Sequence, residues 1–190
     1  MRKILIAIIL SVPFVIAASS EELDKWEAAD RETVRLPPSD FPLLPGSVRD
    51  DLDARACTIP QVYCCNREPH NVVSGHFKDS RQVDWAILCS IDRQSTILVY
   101  WGGSAEIVSE LSTTPDKHWL QGLVGDNVGF SHGISTVNAK YITDHARWYG
   151  GEIEIPPVLD HEGINDGFIE KGSVVRYWYE GEWLMLRGAD

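Results

Sequence analysis

Hydrophobic and polar positions alternate most clearly between Asn71 and Gly103. Val72 and Val73 are β-branched, residues 78–82 are polar, and the apolar runs 85–89 and 96–101 are separated only by the polar stretch 90–94. Short β-branched and aromatic runs bounded by polar turns predict strands, and two runs this close predict a hairpin at the centre of the core. The end of the chain repeats the pattern, with runs at 173–179 and 183–186 around Glu180, Gly181 and Glu182. Both regions follow one order: polar loop, Asp, apolar strand, hairpin. Val83-Asp84-Trp85-Ala86-Ile87 is echoed by Asn165-Asp166-Gly167-Phe168-Ile169. Two units are too few for a solenoid or a propeller. The pattern predicts an α+β fold, an antiparallel sheet of two related hairpin units with flanking helices.

Helical periodicity is strongest at 136–151, where Ala139, Ile142, Ala146 and Tyr149 fall on one face and Gly150 is the expected stop. Residues 20–34 predict a surface helix with Ser20 as N-cap. Its stripe of Leu23, Trp26, Ala29 and Val34 is interrupted by Asp30. Pro37, Pro38, Pro42 and Pro45 impose an extended segment, tacked to the body by Phe41, Leu43 and Leu44. Residues 47–55 predict one or two helical turns, and periodicity does not decide between strand and helix at 105–111.

The N-terminus changes the picture of where the chain works. Arg2 and Lys3 precede an apolar run and the small residues Ala17 and Ala18, the pattern of a cleaved signal peptide at 1–18. The expected organisation is that leader, an N-terminal helix with a Pro-rich segment at 19–56, and one α+β domain at 57–190. Export to the periplasm or medium follows, with no membrane insertion after cleavage. A formal charge of −11 argues against nucleic acid as a partner. Four cysteines in an exported chain allow three pairings. Cys64 and Cys65 are adjacent and would be strained as a first bond. Cys89 shares a strand face with Trp85 and Ile87, so Cys57–Cys89 is the expected disulfide.

Candidate chemistry sits in three places. Asp160, Glu162 and Asp166 surround Gly163, and oxygen ligands around a tight turn suit calcium; Val158 stands where a longer loop has another acid. Gly129-Phe130-Ser131-His132-Gly133 matches G-x-S-x-G, with Asp144 or Asp160 and His145 or His161 in the chain order of a serine hydrolase. Against it, residues 125–127 break the preceding strand and 134–137 make a poor helix start. Seven Trp and six Tyr are rich for this length and could offer a glycan or a protein partner an aromatic face, although Trp85, Trp101, Trp178 and Trp183 lie in strand patterns.

The stretch from Gly75 to Leu88 resembles a degenerate FG-GAP or VCBS-type repeat unit. Gly75, Phe77, Asp84 and the strand after it match, while His76 replaces the usual acid. The chain from Cys57 onward is also similar to small exported bacterial proteins, a likeness that implies export and no particular activity. FG-GAP-like units imply binding or adhesion, often with calcium. The expectation is an exported, non-catalytic binding or envelope-associated module. A serine esterase-like hydrolase acting through Ser131 and an inhibitor of an exported enzyme are the alternatives.

Overall fold

The architecture follows from one property of the central hairpin: it is apolar on both faces. The computed structural model describes residues 20–64, 68–149 and 159–188. The predicted leader, Cys65, Gly150 and the Pro156-Pro157 pair lie outside the described residues. In chain order the elements are α1 (Ser20–Glu32), β1 (Arg35–Leu36), α2 (Gly46–Ala54), β2 (Ile59–Pro60), β3 (Val72–Gly75), β4 (Asp84–Ile91), β5 (Gln94–Tyr100), β6 (Val108–Pro115), β7 (Leu120–Gly122), β8 (Val128–Phe130), β9 (His132–Val137), α3 (Ala139–Tyr149), β10 (Gly163–Phe168), β11 (Gly172–Tyr179) and β12 (Glu182–Arg187).

The first sheet runs β3-β4-β5-β6, all antiparallel. Ile87 pairs with Leu98 and Leu88 with Ile97. Because side chains alternate, Ala86, Leu88, Ile97 and Val99 face one side and Ile87, Cys89, Leu98 and Tyr100 the other, and all eight are buried. A strand pair with two apolar faces needs a layer on each. Its turn is Asp92-Arg93, both with positive φ (49° and 59°), as a two-residue hairpin connection requires.

The N-terminal segment supplies one layer. Phe41, Leu44, Val48, Leu52 and Ile59 pack on Ile87, Leu98 and Tyr100. The Cys57–Cys89 disulfide, spanning 32 residues, fastens that layer to the sheet as the sequence pattern predicts.

The second layer is another four-stranded antiparallel sheet, β12-β11-β10-β9. Its Ile134 and Ile164 join Phe77, Ala86, Leu88 and Ile97 in one core. Trp101 of the first unit lies 5.6 Å from Trp183 and 5.0 Å from Trp178 of the second, centroid to centroid. Asn71, at φ 68°, ties the sheets by polar contact. Its Nδ2 donates to the carbonyls of Pro60 and His132, and its Oδ1 accepts from the Ile134 N–H. On the far face, Ile142 and Ala146 of α3 cover Val175, Tyr177 and Leu186.

The fold is thus α+β with antiparallel sheets, as the pattern predicts. The two units form separate sheets that stack instead of one continuous sheet, because stacking covers the second apolar face of β4 and β5. Two local readings shift. The helix predicted from residue 136 begins at Ala139: Asn138 caps it, its Oδ1 accepting from the Tyr141 N–H, and the β-branched residues before it belong to β9. The N-terminal helix is not a loose surface element. Trp26 and Ala29 pack on the inter-sheet core, and the interrupting Asp30 is buried because it meets Arg35 at 2.9 Å and Arg93 at 3.1 Å.

Candidate functional site

Three of the buried carboxylates, Asp166, Asp116 and Asp84, organise the polar interior. Asp166 points from the middle of β10 into the layer between the sheets. Its Oδ1 accepts from His132 Nε2 at 2.7 Å and its Oδ2 from Arg176 Nε at 2.8 Å. Arg176 also donates to Ser112 Oγ of the first sheet at 2.9 Å. Burial pushes the Asp166 carboxyl up, but His132 and Arg176 together outweigh it and hold the group below the usual carboxylate range. The Trp119 ring stacks on His132 at 3.6 Å, and His132 Nδ1 is buried without a hydrogen-bond partner.

Asp116, fully buried after β6, is the second. Its Oδ2 accepts from Arg35 Nη2 and Ser90 Oγ, each at 2.7 Å, and its Oδ1 from Ser95 Oγ at 2.5 Å. Through Arg35 it joins Asp30, so the network connects α1, β1 and the central hairpin. Asp84 is the third. It accepts the backbone N–H groups of Phe77, Lys78 and Gly102 and the Gln82 amide, which makes it the cap of the loop 76–83. Gly75 is required beside this loop, since a Cβ there would lie 2.7 Å from the Phe77 ring and 3.0 Å from Glu162 Oε2.

The carboxylates expected around calcium are directed to different partners. Asp166 holds His132 and Arg176, Glu162 Oε2 accepts the His76 N–H at 2.8 Å, and Asp160 accepts from Ser80 Oγ at 3.3 Å. Glu162 also pairs with His76 through its backbone, docking the second unit on the loop of the first. Among the described residues no group of three or more His, Cys, Asp or Glu side chains is arranged to hold a metal ion.

Ser131 does not stand on a nucleophile elbow. It lies between β8 and β9, with a strand where a helix would have to follow, is fully buried, and donates to the Gly129 carbonyl at 3.2 Å. Asp144 is engaged on α3 by Lys140 and Arg147, and His145 stacks on Tyr141.

An accessible groove lies on the N-terminal layer. Phe41 and Leu44 turn inward and anchor the Pro-rich segment, whereas Pro42 and Leu43 face out, Leu43 being 83% exposed. Between this segment and the edge of the first sheet is a groove of about 290 Å³ lined by Phe41, Pro42, Leu43, Pro69, Val72 and Trp85. Asp40 and Glu68, both exposed, complete its walls. The Glu68–Pro69 wall is fixed by a clasp. Gln61 Oε1 accepts the His70 N–H at 2.9 Å and Gln61 Nε2 donates to the His70 carbonyl at 3.1 Å. His70 Nε2 accepts the Val62 N–H at 2.5 Å, so Nδ1 carries the proton toward the Glu68 carbonyl at 3.2 Å. Burial lowers the His70 pKa, against a smaller raising effect of the Glu68 carbonyl, which agrees with a neutral ring accepting a backbone N–H.

Sequence reasoning found the Cys57–Cys89 pair. It missed the pairing of His132 and Arg176 with Asp166, which come from three strands, and the polar centre at Asp116. An Asp inside an alternating apolar pattern, as at Asp166, was the available signal. No protein-family model, curated protein or solved structure matches this chain.

Proposed function

We propose that the protein is an exported, non-catalytic binding module that acts through its surface. One observation carries this reading: Ser131, His132, Asp116 and Asp166 are closed inside the scaffold, while an open groove presents apolar groups. Asp116, Ser131, His132 and Asp166 are all buried, and each carboxylate is consumed by structural partners. A general acid or base has to reach a substrate proton directly or through one water. The groove, by contrast, sets Leu43 outward beside Trp85, and an aromatic with an aliphatic neighbour is the usual anchor site of a binding surface. The buried Cys57–Cys89 bond suits an oxidising compartment and supports export.

The test combines location and reactivity. Mass spectrometry of the native protein is expected to find a chain beginning near residue 18 or 19, and a fluorophosphonate probe is expected to leave Ser131 unlabelled. Specific labelling of Ser131, abolished in Ser131→Ala with the fold intact, would replace this reading by the hydrolase.

A further inference from the structure

We infer that the groove between the 41–44 segment and Trp85 receives a short peptide segment in which an apolar side chain is flanked by lysine or arginine. The inference rests on the binding-module reading and names the partner's chemistry.

The groove is preformed. Phe41 (7% exposed) and Leu44 (2%) are held in the core, Pro42 fixes the backbone between them, and the opposite wall is locked by the Gln61–His70 clasp. Little conformational freedom is lost when a ligand enters, so a small site can still bind usefully. Leu43 contributes little to the core. A segment that anchors two apolar residues and turns a third outward, next to a half-buried Trp, offers area that a partner can cover. About 290 Å³ admits one or two large side chains, not a globular surface.

Charge sets the rest. Among the described residues, the charged groups in the walls are Asp40 and Glu68, both carboxylates and both exposed, on a chain of net charge −11. An acidic segment would be repelled at the rim, and a neutral one would gain nothing from it. A basic flank gains from both carboxylates and is steered by the overall field.

The experiment uses the full chain and short synthetic peptides with a central Leu-Phe pair flanked by lysines, by glutamates or by serines. The readout is the indole N–H signal of Trp85 by NMR, assigned with Trp85→Phe. The lysine peptide is expected to shift that signal saturably. Leu43→Asp should weaken binding at least tenfold. Asp40→Asn with Glu68→Gln should weaken it roughly threefold to tenfold at low salt and hardly at all at high salt. Both positions are exposed, so an unchanged melting temperature confirms that the fold is retained. If the glutamate or serine peptide binds as tightly, the basic partner is overturned while the binding-module reading stands. If no peptide shifts Trp85, the proposal fails, and a photo-cross-linker at position 43 in the native cell separates the two levels. A discrete adduct there keeps the binding-module reading; none removes both.

Discussion

The two four-stranded sheets share a topology and differ in what holds them. β3–β6 is secured by apolar burial on both faces and by a disulfide, with its Asp at the strand entrance capping a loop. β9–β12 places its Asp in the middle of a strand, where Asp166, His132 and Arg176 form a polar line facing the first sheet. The echo between Asp84 and Asp166 is therefore one of sequence, not of role. Neither carboxylate is open to solvent. The lesson is that acidic residues in a strand-rich chain can be scaffold, and their number says little about catalysis.

The largest expected effect breaks the second sheet. Asp166→Ala leaves Arg176 in the interior without its counter-charge and should cost about 3–5 kcal/mol in a denaturant titration. Replacing Asp166, Arg176 and His132 together by apolar residues of similar size should recover most of that loss. A triple variant as unstable as the single one would show that the line contributes net stability. In the first sheet, removing Cys57–Cys89 by paired Ala substitution should cost about 3–4 kcal/mol for a 32-residue separation, without loss of the second sheet's chemistry.

Acid separates the regions by pH window. The His70 pKa is lowered on folding, so its contribution is complete above the ordinary value of about 6.5 and is lost as pH falls from there through the lower folded value. The Asp166 pKa is lowered as well, so its contribution is complete above about 3.9 and is lost only as pH falls below that. Melting curves between pH 7.5 and 5.5 should carry the loss of the clasp, and His70→Gln, which keeps an acceptor for Val62, should remove that part of the slope. Curves below pH 4 should include the loss of the Asp166 contribution together with those of Asp79 and Asp144, whose carboxyl pKa values are also lowered, and His70→Gln should leave that part unchanged. Leu43→Asp, the smallest effect, should change stability by no more than about 0.5 kcal/mol.

Much of the first sheet was legible. The runs at 85–89 and 96–101 have strand length and polar bounds, and Cys89 shares a face with Ile87, which points it at the N-terminal layer. The final hairpin was legible for the same reason, its turn closing at Glu180-Gly181 with φ of 48° and 93°. The stacking of two sheets was harder to read. Its signal is that β4 and β5 are apolar at every position from Ala86 to Cys89 and from Ile97 to Tyr100, which demands two covering layers. The His132–Asp166 pair joins residues 34 apart on neighbouring strands, and nothing local marks it. The stretch 160–166 reads as one acidic loop, yet β10 begins at Gly163 and carries Asp166 into the interior. The groove escaped because Phe41, Leu43 and Leu44 look equivalent in sequence. Only the turn of the backbone between the prolines sends Leu43 outward while its neighbours go in.

The central claim is that the buried polar line is scaffold and the groove is the working surface. The most direct test is the affinity of the lysine-flanked peptide for a variant in which His132, Asp166 and Arg176 are all replaced by apolar residues, with its fold verified by NMR. The account predicts an affinity within about twofold of the wild type, because the groove lies on the opposite layer of the first sheet and independent sites add. A folded triple variant that no longer binds the peptide, while Leu43→Asp binds it normally, would contradict the account.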